Sequence, residues 1–548
     1  MPIVNPFFDI TSPTQIPFGI DPRSLVNLDL SRPGDPADIL SQGSGIHIGA
    51  GVILTAAHVP YDISKTLNGA VFSNVVFDVN FGSGLSAIED VSLHIASDDP
   101  NQRFVDGRDR FQSFATPTTG ADVALIDLSQ GGPIDAGDAS YLASVRATPM
   151  VLFSNPDDAI GLDIMMFGYP TESRDGTTLC RANGEITGHG PVSLSSSGET
   201  VLAYSAAVSN EGGFSGGPVY VSQSIAGVTS SGPLLLGLAS ASFGPQDGLF
   251  SSMSAIYAAL AESLAPFHSA SEFARNVLIA DRSASGTVQG QFFHEDIYGG
   301  TFADTIFAAE GNDSVLADQG RDRIFGGQGN DTVFGGAGVD RIFDGIGADA
   351  VFGGGGNDVI SASDLTDADF YQGGAGDDTL SYSKLSGTLT IDLANGLVTG
   401  GSGQSDQLKS IENVQGSLGN DAIIGNGQAN VLDGRQGNDT LTGRGGSDSF
   451  VFSTGPTAAT NVDHITDFQH LIDRIILSPT IYSTLGAAVE DADLHLGTQA
   501  ADDNDRLIYD GATGTLYYDS DGTGALAQVQ FAVLTAGTVL TAADFALG

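Results

Sequence analysis

An all-β chain built from two unlike halves is predicted by three observations. Of its 74 glycines a large share lies after residue 281, where they recur with Asp and Asn, while residues 40–265 have a mixed β-rich composition. From Gly299 to Ser361 the chain divides into seven successive nonapeptides, each with Asp at the sixth place and Ile or Val at the eighth. In the first half, three short segments follow one another in the order His, Asp, Ser beside apolar stretches. At 548 residues the chain exceeds what one core supports, and the usual domain size implies about two to four units.

Charge and cysteine content narrow the partners. The formal charge of −46, from 66 acidic against 20 basic residues, argues against nucleic acid, whose phosphates would be repelled, and makes cations the natural ligands. A single cysteine, Cys180, excludes an internal disulfide, so an extracellular life needs another source of rigidity. The first forty residues contain no basic stretch leading into a continuous apolar run, and no later segment approaches the length of a membrane span. Neither Sec-type export nor a membrane span is expected.

Residues 1–37 read as an N-terminal segment, a propeptide in part, and residues 38–265 as the first globular domain. In that domain an apolar strand runs into Thr55-Ala56-Ala57-His58, Asp122 opens the apolar stretch Val123-Ala124-Leu125-Ile126, and Gly213-Phe214-Ser215-Gly216-Gly217-Pro218 forms a glycine-rich turn. A serine hydroxyl is a poor nucleophile at neutral pH. It needs an imidazole to take its proton and a carboxylate to hold that imidazole in the right tautomer. The expected roles are therefore His58 as general base, Asp122 as its orienter and Ser215 as nucleophile, with the backbone N–H of Gly213 joining that of Ser215 in an oxyanion hole. Asp78, Asp90 and Asp127 are rivals to Asp122, which is preferred because it enters an apolar strand. His47, His94 and His189 have no matching context and read as structural.

The chain order His, Asp, Ser and these motifs resemble the chymotrypsin-like (trypsin-like) serine peptidases over about residues 17–265. The resemblance implies a double β-barrel and a protein or peptide substrate. Gly19-Ile20-Asp21-Pro22-Arg23, Gly168-Tyr169-Pro170, Gly184-Glu185-Ile186, Ser242-Phe243-Gly244 and the stretch from Ala255 to Leu264 are similar to pieces of the bacterial, glutamyl-endopeptidase-like branch. Ser209 at the pocket-base position is uncharged, against a preference for Arg or Lys, and no histidine stands beside Phe243 to support a preference for Glu. Phe214 replaces the aspartate that binds a new amino terminus in the animal enzymes.

Residues 266–289 are expected to be a linker. The seven nonapeptides then place Asp304, Asp313, Asp322, Asp331, Asp340, Asp349 and Asp358 at the sixth position, with Ile and Val alternating at the eighth from Ile306 to Ile360. That alternation implies an eighteen-residue coil with two short strands, isoleucines under one sheet and valines under the other. Glycine turns expose carbonyl oxygens, which with a carboxylate make an oxygen cage suited to Ca²⁺. Phe302 stands where the third glycine of the first repeat is expected. A further unit adds Asp378 and closes a first block at 290–381. Residues 382–415 lose the period and read as an interruption or side excursion. A second block, 416–455, carries Asp421, Asp439 and Asp448, and Asn430, which lacks the charge and should bind more weakly.

This pattern resembles the RTX family, whose parallel β-roll binds calcium in such turns. The resemblance implies several structural Ca²⁺ ions, an array that folds only outside a low-calcium cytoplasm, and, in residues 456–548, a β-rich cap with the C-terminal address read by a type I secretion apparatus. The lack of a His-Glu-x-x-His segment speaks against the zinc protease often joined to such arrays. The expectation is a secreted calcium-dependent serine endopeptidase. Its rivals are a non-catalytic calcium-binding adhesion or surface-layer protein with a protease-like domain, and an esterase using the same triad.

Overall fold

The computed structural model describes residues 7–9, 25–32, 35–49, 52–55, 75–80, 88–93, 111–113, 124–127, 147–168, 180–193, 200–206, 217–221, 225–226, 228, 233–244, 247–252, 257–266, 268–400, 405–457 and 460–548. They divide into two compact units, one formed by Met1–Arg282 with Gly290–Tyr298, the other by Ser283–Gln289 with Gly299–Gly548.

The first unit is antiparallel β. One seven-stranded sheet runs in the order Ile88–Leu93, Val75–Asn80, Leu25–Arg32, Asp35–Gly49, Val52–Thr55, Ala124–Asp127, Phe111–Ser113. A second sheet runs Phe7–Asp9, Cys180–Ser193, Asp163–Gly168, Pro218–Val221, Leu234–Gly244, Asp247–Ser252, Thr200–Ala206, and the pairing of Thr200–Ala206 back onto Cys180–Ser193 closes it into a barrel. Closure satisfies the strand edges, and the inward side chains fill the interior. Ile164, Met166, Ala182, Ile186, Tyr204, Val219, Val221, Leu234 and Leu236 make that core. Bulges between Ile186 and Gly188, Val219 and Tyr220, and Ala239 and Ala241 bend the strands as closure requires. Residues 255–264, read from sequence as a closing helix, contain the α-helix Tyr257–Leu264, whose Tyr257, Leu260, Ala261 and Leu264 are buried.

Residues 266–289, expected as a linker, carry two strands. Asn276–Ile279 is wholly buried and pairs in parallel with Val151–Phe153 and with residues 295–298, so Val277 and Ile279 belong to the core of the first unit. Thr287–Gln289 is the first strand of a sheet in the second unit. Their short apolar runs, Val277-Leu278-Ile279 and Val288 alone, are too brief to stand out against flanking polar residues.

The second unit is a parallel β-roll. One sheet has eleven strands, from Thr287–Gln289 through Thr305–Glu310, Arg323–Gln328 and Arg341–Ile346 to Phe545–Leu547. Its register stacks Ile306, Ile324, Ile342, Ile360 and Leu380. The facing strands Ser314–Asp318, Thr332–Ala337, Ala350–Gly355 and Phe370–Ala375 stack Val315, Val333, Val351 and Tyr371. All nine of these side chains are fully buried, so the eighth-place residues are the core. On the outer surface Phe307, Phe325 and Phe343 stack at 4.7 and 4.8 Å with nearly parallel rings, a cross-strand ladder that holds successive coils in register.

Residues 382–415 leave the coil and return to it. Thr379–Ser381 pairs directly with Asn413–Gln415, and the intervening hairpin of Thr390–Asp392 and Leu397–Thr399 is laid into the other sheet between Ser405–Lys409 and Ala422–Ile424. Beyond the second block the coil gives way to antiparallel pairs among Leu507–Asp510, Thr515–Tyr518 and Val529–Leu534.

Candidate functional site

Two constellations follow from the sequence, and they differ in how far the structure reaches them. His58, Asp122, Gly213 and Ser215 lie outside the described residues. The strands that lead to them are described. Val52–Thr55 ends three residues before His58, and Ala124–Asp127 begins two residues after Asp122. These strands are antiparallel neighbours with Thr55 opposite Ala124, so the chain leaves for His58 and arrives from Asp122 at the same end of one pair. Ile53 and Leu54 are fully buried and anchor that pair. Pro218–Val221, three residues beyond Ser215, is buried throughout and lies in the closed barrel. Of the rival acids, Asp78, Asp90 and Asp127 all sit within strands. His189 packs its ring on Tyr204 at 4.9 Å, in keeping with a structural residue. His47 lies on the strand Asp35–Gly49, and His94 is outside the described residues.

The repeat aspartates are described in full. They form ladders along the edges of the roll, each backbone N–H donating to Oδ1 of the aspartate one coil further on. Asp304 donates to Asp322 at 2.7 Å, Asp322 to Asp340 at 2.8 Å, Asp340 to Asp358 at 2.9 Å and Asp358 to Asp378 at 2.8 Å. On the other edge Asp313 donates to Asp331 and Asp331 to Asp349, both at 2.8 Å. The ladder fixes one oxygen of each carboxylate and leaves the other for a different partner. In Asp322, Asp340, Asp349, Asp358, Asp378, Asp439 and Asp448 the second oxygen, Oδ2, is buried and meets no donor.

That second oxygen points where a cation would fit. A Cβ placed on Gly335 would fall 2.6 Å from the carbonyl oxygen of Gly353 and 2.8 Å from Oδ2 of Asp340; on Gly353 it would fall 2.7 Å from the carbonyl of Gly373 and 2.5 Å from Oδ2 of Asp358. Carbonyl and carboxylate oxygens of adjacent coils thus converge where only glycine can stand. Oxygen-only donors of this kind suit Ca²⁺. A buried, unsatisfied carboxylate oxygen is costly, and the carboxyls respond by holding their protons: burial first, then neighbouring aspartates, push Asp322 up to about 7, Asp349 to about 8, and Asp358 and Asp448 to about 6. Burial likewise raises Asp340 and Asp378. A divalent cation supplies the opposing charge that these groups lack.

Two expected positions are satisfied by the protein itself. Asp421 accepts the Ser417 N–H on Oδ2 at 2.6 Å, and the Leu389 N–H at 2.8 Å and the Ser417 hydroxyl at 3.0 Å on Oδ1. Ser417 occupies the place of the second glycine, and its side chain caps the acid. Asn430 accepts from the Asn426 N–H at 2.9 Å and donates to the Glu412 carbonyl at 2.8 Å, so its amide has partners at both ends.

Five further acids join the ladders without a nonapeptide around them. Asp369 accepts from Asp349 at 2.8 Å, Asp406 from Asp369 at 3.2 Å, Glu412 from Asp378 at 3.0 Å, Asp463 from Asp439 at 3.1 Å and Asp473 from Asp448 at 3.0 Å. Each stands two residues before a buried apolar side chain: Tyr371, Leu408, Val414, Ile465 and Ile475. Acid, any residue, apolar residue is the signal that would have found them. Hydroxyls serve some of these acids. Tyr382 donates to Oδ2 of Asp406 at 2.9 Å, and the Tyr371 hydroxyl donates to Asp344 at 2.5 Å and lies 3.0 Å from Oδ2 of Asp369.

Comparison with known proteins bears on both halves. The model of a trypsin-like peptidase domain matches residues 43–224, and that of the RTX calcium-binding nonapeptide repeat matches 290–324, 298–333, 325–360, 365–381 and 415–450. The chain thus matches a trypsin-like peptidase domain in its first half and RTX calcium-binding repeats in its second, within an all-β fold whose second half is a parallel β-roll. It is, at this level, a calcium-binding, protease-like protein. Among solved structures, the active form of the Rv3671c protease from M. tuberculosis is similar at 18% identity over 45% of this chain and 81% of that one, with a TM-score of 0.27. The protease Anisep from Arthrobacter nicotinovorans is similar at 15% identity over 42% of this chain and 90% of that one, with a TM-score of 0.26. No curated protein matches. Among the described residues no helix is long and apolar enough to cross a membrane.

Proposed function

We propose that the chain is a secreted, calcium-dependent serine endopeptidase. His58 takes the proton of Ser215 as its hydroxyl attacks the scissile carbonyl, Asp122 holds the imidazole, and the N–H groups of Gly213 and Ser215 receive the developing oxyanion. His58 then passes the proton to the leaving amine, and water releases the acyl group. The observation that carries this reading is that all four residues, in the order the mechanism's family requires, fall inside the span 43–224 matched by the peptidase domain. Covalent labelling of the full chain by a fluorophosphonate, abolished in Ser215→Ala, tests it; a wild-type protein that does not label would leave the non-catalytic adhesion reading. Casein set against a small ester separates endopeptidase from esterase.

The second half supplies rigidity in place of disulfides. Asp304, Asp313, Asp322, Asp331, Asp340, Asp349, Asp358, Asp378, Asp439 and Asp448 are assigned to Ca²⁺, while Asp421 and Asn430, already hydrogen-bonded at every side-chain oxygen, are not. At the low calcium of a cytoplasm the carboxylates repel and the roll stays unfolded, a state fit for a type I secretion apparatus reading an address within residues 456–548. Calcium outside then folds it. A digest of a peptide library with calcium and with chelator reports activity, specificity and metal dependence together.

A further inference from the structure

The eleven-stranded sheet that begins at Thr287–Gln289 and ends at Phe545–Leu547 has an outer face unlike the rest of this acidic chain. Of the 66 acidic residues, only Glu310, Asp344 and Asp433 fall within its strands. Glu310 stands at the end of its strand, and Asp344 and Asp433 are buried. Alternation with the buried Ile306, Ile324 and Ile342 turns Phe307, Phe325 and Phe343 outward. The same alternation turns out Arg323 and Arg341, which are exposed and stand opposite each other on neighbouring strands.

Like charges placed opposite one another repel, and the chain offers them no carboxylate. Among the described residues Arg323, Arg341 and Lys384 form no ion pair. Their neighbours are rings instead. The Arg323 guanidinium lies 4.9 Å from the centre of Phe325 and 5.7 Å from that of Phe343, and the Lys384 ammonium lies 5.1 Å from the centre of Phe343. A guanidinium resting on a ring is held in place with N–H donors to spare for an anion. The facing sheet stacks Phe334 on Phe352 at 4.7 Å, with no such cation among the described residues. Hydroxyls share the cationic face, from Thr305, Ser361 and Thr379, each beside a buried apolar side chain.

We propose that this face binds a linear polysaccharide bearing carboxylates, laid along the stack of strands. Each strand offers two outward positions around one buried residue, so the face is a ribbon two side chains wide, too narrow a footing for a lipid surface. Successive strands lie about 4.8 Å apart, close to the length of one sugar ring, so one saccharide unit meets one coil. Its carboxylates meet Arg323, Arg341 and Lys384, its hydroxyls meet those of Thr305, Ser361 and Thr379, and its C–H groups rest on the phenylalanine edges. One charge per sugar is far sparser than the one per about 1.7 Å of double-stranded DNA. The net charge of −46 that turns nucleic acid away therefore weighs less here, and salt screens it beyond about 8 Å. Binding needs a folded roll and is independent of the chemistry at Ser215.

The test measures retention of the full-length, calcium-loaded chain on immobilised polygalacturonate and on neutral dextran, for wild type and for the double variant Arg323→Gln/Arg341→Gln, with bound calcium counted in both. Wild type is expected to bind polygalacturonate and not dextran. The double variant should bind at least about tenfold more weakly, having lost two charge-assisted hydrogen bonds, with its calcium count unchanged. A wild type that ignores polygalacturonate overturns the proposal. Equal binding by the variant does so too, since calcium would then be bridging acidic turns to the polymer. Preference for vesicles of phosphatidylglycerol over polygalacturonate would give the face to lipid and overturn it as well. Should the double variant lose its calcium, Lys384→Gln alone decides: about threefold weaker binding is expected, and an unchanged affinity overturns the proposal.

Discussion

The two halves of this chain solve the same problem, a stable β structure without disulfides, by opposite means. The peptidase unit pairs strands far apart in sequence, as Ile164 with Val221 and Tyr204 with Phe250, and closes them around a core of Met, Tyr, Ile, Leu and Val. The roll pairs each strand with the one a coil away and has a core about one side chain wide. Its edges are rows of buried aspartates. The described core of the first half is apolar, whereas the second half lines its edges with buried carboxylates, which on the proposed reading take calcium.

The largest expected effect separates the halves through chemistry. Ser215→Ala or His58→Ala should lower peptide hydrolysis by at least about a thousandfold, with the calcium count unchanged; a parallel loss of calcium would mean that the substitution had unfolded the chain. Chelation should do the reverse. Amides of Ile324, Ile342 and Val351 should lose hydrogen-exchange protection while those of Ile164, Met166 and Val219 keep it. Each site at tenfold its dissociation constant contributes roughly 1.4 kcal/mol, so several sites decide the state of the roll together. Equal loss in both halves would erase the contrast.

Acidity sharpens it further. In chelated protein burial pushes ladder carboxyls well above the value of about 3.9 expected for an unfolded Asp, to about 7 for Asp322 and about 8 for Asp349. A raised folded value means that the folded state binds more protons. Its contribution is present below about pH 4 and is lost as pH rises through about 6 to 8. Metal-free roll, unfolded near neutral pH, should therefore regain folded structure at pH 5, while in saturating calcium it should melt at a lower temperature at pH 5 than at pH 8, because protons and calcium compete for the same oxygens. Melting curves that ignore pH would break the argument.

The smallest effect tests the turns. Ala309 stands at a second-glycine position with φ of 78°, a left-handed conformation unfavourable to any residue with a Cβ. Ala309→Gly should stabilise the calcium-loaded roll by about 1 kcal/mol, read as a higher melting temperature.

Much of the roll is legible from the chain because its contacts repeat. With a coil of eighteen residues, the residue that touches Ile324 can be named as Ile306 or Ile342 by counting, and the ladder partner of Asp322 as Asp340. Where the count fails, so does the reading: Asp369, Asp406, Glu412, Asp463 and Asp473 keep their places in the ladders although the chain between them changes length. Asp421 and Asn430 keep the count and are satisfied locally, since Ser417 and Glu412 offer hydrogen bonds that spacing alone does not reveal. Asn276–Ile279 reads as linker in the sequence because a four-residue strand makes sense only beside the strands it pairs with.

The sequence by itself determined the all-β class, the eighteen-residue coil, the side chains that fill it and the order of the three peptidase motifs, because each is a matter of residue type and spacing. Tertiary structure alone decided which carboxylate oxygens lack a donor, which acids a serine or tyrosine already serves, and how the barrel closes on itself. Those outcomes depend on groups brought together from distant parts of the chain, where a few ångströms separate a hydrogen bond from an exposed need for charge.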